Sequence, residues 1–166
     1  MKQSLKTNLF FFILAAGITF AMYSCGSDTV TNTTTTPDAN TISGTITFTD
    51  TTNISSGGFY NVSAFSSWYP TGQPSSSDTL HPVKSGNVYT ATYKLKGLNN
   101  GYYFLAAAWT KIPYQMGGNY VTGLHGCDTS HSFSCRPDSL TISNNAGLTG
   151  INFLSVMDTN KAIIKF

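Results

Sequence analysis

The sequence predicts an all-β fold, an antiparallel β-sandwich of about seven short strands. Charged residues make up only 10% of the 166 residues, there is no Glu, and Arg136 is the single arginine. Because Lys, Glu and Arg usually supply the solvated faces of helices, their scarcity disfavours a helical protein. Thr, Ser, Asn, Gly, Tyr and Phe recur instead, and they are typical of strands and turns.

Residues 1–24 have the pattern of a signal peptide. Lys2 and Lys6 precede an apolar run at residues 9–22. This run is shorter than the roughly 20 residues that a membrane-spanning helix needs, and it matches the hydrophobic region of a signal peptide. A buried helix of the protein core is the alternative.

The segment AMYSCG at residues 21–26 resembles the cleavage site of bacterial lipoproteins. The resemblance implies that Cys25 becomes the first mature residue and carries lipid, with ordinary cleavage nearby as the alternative. Residues 25–41 then form the lipidated cysteine and a Thr-, Ser- and Asn-rich tether, too polar to offset the entropy of ordering. The expected location is the bacterial cell envelope, with a lipid anchor in the outer membrane because no Asp follows Cys25.

Residues 42–166 are expected to form the β-sandwich domain, and its first three strands each show one apolar face. Apolar residues alternate with polar ones in each, as expected of half-buried strands. The predicted inward faces are Ile42, Gly44, Ile46 and Phe48, then Tyr60, Val62, Ala64 and Trp68, then Tyr89, Ala91, Tyr93 and Leu95.

Residues 102–112 are apolar on both faces, which predicts a central strand covered on each side. A helix is the alternative, because three alanines occur in succession, but aromatic residues flank them and no helix cap precedes them. Further strands are expected at residues 119–124, 139–143, 150–156 and 161–166.

Several short segments resemble one family of sandwich domains. They are ISGTI at residues 42–46, YKLKGLNNGYYFLAA at 93–107, LTI at 140–142 and GINF at 150–153. These segments are similar to prealbumin-like, carboxypeptidase-regulatory-like domains. The resemblance implies an accessory, adhesive or transport module that is usually not catalytic.

The cysteines outside the leader predict a structural disulfide. If Cys25 is acylated, Cys127 and Cys135 remain as an even pair in an oxidising compartment. A zinc site is the alternative, although the spacing matches no standard zinc finger. Its candidate ligands crowd eleven positions: His125, Cys127, Asp128, His131 and Cys135.

No catalytic residue, cofactor or metal ion is expected. The sequence has no Gly-Lys dipeptide for a phosphate-binding loop, no Glu for an HExxH helix and no GxSxG motif. Without Lys2 and Lys6, seven basic residues face seven aspartates. Such a neutral domain is not expected to bind nucleic acid or anionic lipid through a basic surface.

Aromatic residues near loops give the candidate ligand platform: Trp68, Tyr69, Tyr114 and Tyr120. Exposed aromatic rings stack on sugars or anchor protein partners. The alternative is that these rings cover the ends of the sandwich as peripheral core. Trp109, inside the central strand, is expected in the core.

The leading hypothesis is therefore an envelope-anchored lipoprotein whose non-catalytic sandwich binds a glycan or a protein. A second hypothesis is a structural subunit that polymerises by strand exchange through the tether or the tail at residues 162–164. A third is a small hydrolase, since paired carboxylates are brought together only by the fold.

Overall fold

The computed structural model of the chain describes residues 36–70, 72–128 and 135–165. The predicted signal peptide, Cys25, His131 and most of the predicted tether lie outside the described residues. No helix among the described residues is long and apolar enough to cross a membrane.

The described residues form two packed sheets, which confirms the all-β sandwich. The strands are β1 Ile42–Thr49, β2 Gly58–Phe65, β3 Ser76–Leu80, β4 Val83–Ser85, β5 Val88–Leu95, β6 Gly101–Lys111, β7 Asn119–Leu124, β8 Leu140–Ile142, β9 Phe153–Val156 and β10 Ile164–Lys165. The smaller sheet has the order β4-β5-β1-β9. The larger sheet has the order β3-β2-β6-β7-β10, and β8 pairs with the beginning of β6.

Two features of the sheets differ from the prediction. The described residues form ten strands rather than about seven, because β3 and β4 arise in a stretch that was not predicted to pair. The sandwich is also not wholly antiparallel, since β9 runs parallel to β1. Alternation of apolar residues reports which face of a strand is buried, but it carries no information about strand direction.

The structure also tests the predictions made for the central strand and for the second strand. The segment predicted at residues 102–112 is β6, a strand and not a helix, and it lies between β2 and β7. The prediction that Trp68 lies on the second strand is wrong, because β2 ends at Phe65. Trp68 therefore belongs to the loop that leads to β3, where period-2 alternation no longer applies.

The main core fills the space between the sheets. Each strand contributes alternate residues, so the predicted inward faces of β1, β2 and β5 are largely buried. Trp109 is 5% exposed, which confirms its predicted place in the core. The largest fully buried apolar side chains of this core are Ile42, Ile46, Val62, Leu95, Leu98, Leu105, Ile142 and Met157.

Polar side chains join the two sheets along both sides of the sandwich. On one side, Asp78 and Ser76 of β3 accept hydrogen bonds from the backbone N–H groups of Lys94 (2.9 Å) and Lys96 (3.1 Å). On the other side, the buried Ser155 hydroxyl of β9 donates to the Thr122 hydroxyl of β7 at 2.9 Å. The core is therefore enclosed laterally by hydrogen bonds as well as by apolar packing.

Gly44 allows the segment before β9 to lie directly on β1. A Cβ atom built at this glycine would lie 1.9 Å from the carbonyl oxygen of Ile151. That same oxygen accepts a hydrogen bond of 2.6 Å from the hydroxyl of Tyr93, the residue paired with Gly44 across the sheet. Burial raises the pKa of Tyr93 far above its usual range, so the hydroxyl remains a donor.

A second, smaller apolar cluster lies on the other face of the larger sheet. Its buried members are Ala106, Val121, Leu124, Cys127 and Ile163, and Phe65, Trp68, Cys135 and Ile164 pack against them. The sulfur atoms of Cys127 and Cys135 are 2.01 Å apart, which is disulfide distance. The two cysteines thus lie against the outer face of this sheet as part of the second apolar cluster.

Candidate functional site

The outer face of the larger sheet carries a groove of about 470 Å³, which we call the outer groove. Alternation builds its floor, since Ala106 and Ala108 of β6 point away from the core that holds Leu105, Ala107 and Trp109. On β2 the odd-numbered positions from Phe59 to Phe65 line the groove in the same way. The small alanine side chains on the central strand make this face of the sheet concave.

Aromatic rings form the wall at one end of the outer groove. Trp68 and Tyr69 stack on each other, with ring centroids 4.9 Å apart and ring planes 21° from parallel. Trp68 is half-buried against the second apolar cluster, whereas Tyr69 is 59% exposed. The inner ring is therefore held by packing, and the outer ring is presented to solvent.

The opposite end of the outer groove is lined by amides and a tyrosine. Asn61 of β2 and Asn119 of β7 lie on either side of β6. The Oδ1 atoms of both are buried and accept no hydrogen bond from the described residues. Tyr114, 71% exposed, stands beside them, and its hydroxyl accepts a 3.5 Å hydrogen bond from Asn119 Nδ2. This part of the groove is therefore lined by two side-chain amides and a tyrosine.

The four predicted platform residues all line this one groove, but they contribute differently. Trp68 and Tyr69 form one wall and Tyr114 stands at the far end. Tyr120 instead packs its ring edge-on against Trp109, with centroids 5.6 Å apart, and borders the main core. All four side chains therefore line the groove, and Tyr120 also packs against the main core.

The outer groove has no ionisable acid or base that works near neutral pH. None of the described residues that line it is Asp, Lys, Arg or His. Its polar groups are amides and hydroxyls, contributed by Asn61, Gln73, Asn119, Ser63, Ser77, Thr110 and the tyrosines. This combination can stack apolar ring faces and exchange hydrogen bonds, but it supplies no carboxylate or imidazole for proton transfer.

The other candidate site, around the cysteines, lacks a ligand cluster. Cys127 and Cys135 are bonded to each other, and no group of three or more metal-ligand side chains occurs within the described ranges. His125 packs edge-on against Phe153, with ring centroids 6.0 Å apart, and its Nδ1 is buried. His131 lies outside the described residues.

The sequence analysis did not single out Asn61, Asn119, Ala106 or Ala108. A signal for them exists in the sequence, because small or polar residues occupy the middle outward positions of two adjacent strands: Asn61 and Ser63 on β2, and Ala106 and Ala108 on β6. The sequence does not show that the loops carrying Trp68 and Tyr114 lie at the two ends of that same face.

No protein-family model, curated protein or solved structure matches this chain. The groove and the sequence are therefore the sole basis for assigning a function.

Proposed function

We propose that this chain is an exported, lipid-anchored protein whose β-sandwich is a non-catalytic binding module for a neutral glycan, held in the outer groove. The lipid anchor and the envelope location are supported by the leader and the cysteine at position 25. The choice of ligand is supported by the groove.

The observation that carries the proposal is the pairing of exposed aromatic rings with uncharged hydrogen-bonding groups in one groove. Sugar rings present apolar C–H faces, which pack on rings such as those of Trp68 and Tyr69. Sugar hydroxyls can form hydrogen bonds with the side-chain amides of Asn61 and Asn119, which line the groove. Ligand sites usually consist of a largely apolar cleft into which a few polar groups converge.

The same lining supports binding without turnover. Glycoside hydrolysis by the common mechanism uses two carboxyl groups that flank the scissile bond. None of the described lining residues carries a carboxyl group, and the chain contains no Glu at all. A bound glycan would therefore be retained rather than cleaved.

A protein ligand and a strand-exchange polymer gain less support from the structure. A charged or strand-like protein partner would be expected to meet complementary charges or an open sheet edge. The tail that the exchange hypothesis would donate is packed on its own domain: Ile163 is 4% exposed, and Ile164 pairs with Val121 of β7. We therefore put forward the glycan as the ligand.

Retention on insoluble neutral polysaccharides tests this proposal. We expect the purified domain, residues 36–166, to be retained on at least one of cellulose, xylan, mannan, chitin and starch, without release of soluble sugar. Tyr69→Ala should weaken retention about tenfold, because a central aromatic contact contributes roughly 1–2 kcal/mol to binding.

Tyr102→Ala is the matched control, since Tyr102 is also exposed (66%) but does not line the outer groove. It should leave retention unchanged. Failure of all five polysaccharides to retain the wild-type domain, or an equal loss in both variants, would contradict the proposal.

A further inference from the structure

The outer groove is longer than one sugar ring. It follows β2 from Phe59 to Phe65, six residues along a strand. Because a strand rises about 3.4 Å per residue, this part of the floor extends for roughly 20 Å. A ligand that fills it must be extended in the strand direction.

The two ends of the floor offer different chemistry. At the Phe65 end, the stacked rings of Trp68 and Tyr69 present a flat apolar surface. Towards the Phe59 end, Asn61 and Asn119 lie on either side of β6, Asn61 paired with Ala108 and Asn119 paired with Thr110. A single small ligand could satisfy one end, but not both.

The floor of the groove between these ends is formed by small side chains. Ala106 and Ala108 contribute only methyl groups. The hydroxyls of Ser63 and Ser77, paired across β2 and β3, are 2.7 Å apart and hydrogen-bond to each other.

We infer that the outer groove binds a linear chain of several neutral sugar units, with one ring stacked on Trp68 and Tyr69 and a more distant unit hydrogen-bonded to the side-chain amides of Asn61 and Asn119. This inference rests on the proposed function and specifies its ligand as an extended oligosaccharide rather than a monosaccharide or a chain end. One ligand occupies both contact sites, so its affinity depends on the length of the sugar chain.

Isothermal titration calorimetry with oligosaccharides of one to six units tests the inference, using the series that corresponds to a polysaccharide that retains the domain. We expect affinity to rise about a hundredfold or more between the disaccharide and the hexasaccharide, since a second set of contacts of a few kcal/mol becomes available. The rise should level off once the chain covers the roughly 20 Å floor.

Variants at each end separate the two contact sites. The Asn61→Ala, Asn119→Ala double variant should lower hexasaccharide affinity about tenfold or more and leave the weak disaccharide affinity at the aromatic end unchanged. Tyr69→Ala should weaken both ligands. Ala108→Phe, which raises the floor directly beside Asn61, should reduce the hexasaccharide to the affinity of the disaccharide.

Thermal unfolding of each variant, with Tyr102→Ala as the surface control, checks that the domain is folded. A disaccharide that binds as tightly as the hexasaccharide, or Asn and Ala108 variants that leave the hexasaccharide unaffected, would overturn the inference while the proposed function stands. If no polysaccharide retains the domain, the proposed function itself fails, and the inference fails with it.

Discussion

At the scale of single residues, Asp158 shows how one carboxylate joins separate segments. Its oxygens accept hydrogen bonds from the backbone N–H of Asn160 (2.9 Å), the side chain of Asn160 (3.0 Å) and the side chain of Asn53 (3.3 Å). The first two cap the short 3₁₀ helix Thr159–Lys161, and the third reaches the loop between β1 and β2. These donors, the Asn160 N–H foremost, lower the pKa of Asp158 below its usual 3.8.

The lowered pKa predicts how stability depends on pH. A carboxyl group whose pKa is lower in the folded state contributes stability above its unfolded pKa, and this contribution is lost as the pH falls through the folded value. We expect Asp158→Asn to destabilise the domain at about pH 6–7, and the difference from wild type to shrink below about pH 4. Urea unfolding between these pH values measures the difference in the free energy of unfolding between the variant and the wild type. A difference that stays constant with pH would show that Asp158 acts only as a neutral hydrogen-bond acceptor.

Gly44 marks what the sequence could indicate at this scale and what it could not. Alternation correctly placed this position on the inward face of β1. The need for glycine arises from Ile151, more than a hundred residues later, whose carbonyl occupies the space of a side chain. The local sequence pattern shows which face of its own strand a residue occupies. The close approach of a distant segment is visible only in the folded structure.

At the scale of strands, β3 protects an edge of the smaller sheet. β4 is only three residues long and covers β5 as far as Thr90. Beyond that point, Asp78 and Ser76 of β3 supply acceptors to N–H groups at the end of β5 in place of a neighbouring strand. Side chains of one sheet thus complete the hydrogen bonding of the other, and the exposed edge is blunted.

Removing one of these acceptors should weaken both stability and solubility. We expect Asp78→Ala to lower the free energy of unfolding by about 1–2 kcal/mol, because the N–H of Lys94 loses a charged acceptor. The uncovered edge should also promote self-association. Urea unfolding and analytical ultracentrifugation measure the two effects.

Asp78→Asn is the matched control, because it retains an oxygen acceptor. Its free energy of unfolding should fall by less than half as much as that of Asp78→Ala. If the alanine and asparagine variants unfold alike and both stay monomeric, the acceptor has no role at this edge.

The strands that were predicted and those that were missed differ in composition. β1, β5, β6 and β7 carry clear apolar faces, and their predicted bounds agree closely with the structure. β3 and β4, with the sequences SSDTL and VKS, carry almost none. These two strands exist because neighbouring strands offer backbone partners, which is a tertiary effect that no local alternation reveals.

At the scale of the whole molecule, the candidate site was only partly readable from the sequence. Aromatic residues beside polar loops were sufficient to nominate Trp68, Tyr69 and Tyr114, which the fold places on one groove. Tyr120 was nominated by the same criterion and also lines the groove, while its ring contacts Trp109 of the core. Residue type alone does not predict this additional contact, because it depends on strand register.

The predicted lipid anchor is testable on the full-length chain expressed in a Gram-negative bacterium. We expect incorporation of labelled fatty acid and recovery of the protein with membranes, since more than one acyl chain anchors firmly. Cys25→Ala should abolish the label and release the protein from membranes. The Cys127→Ser, Cys135→Ser double variant is the control and should keep the label. Undiminished labelling of Cys25→Ala would refute acylation at this position.

The uncharged lining of the outer groove has a consequence for the conditions under which it works. Dissolved ions screen interactions between charges, but they hardly affect ring stacking or hydrogen bonds between neutral groups. None of the described lining residues is Asp, Lys, Arg or His, so the lining carries no such charges for dissolved ions to screen. Affinity for the proposed sugar chain should therefore stay nearly constant as the salt concentration rises.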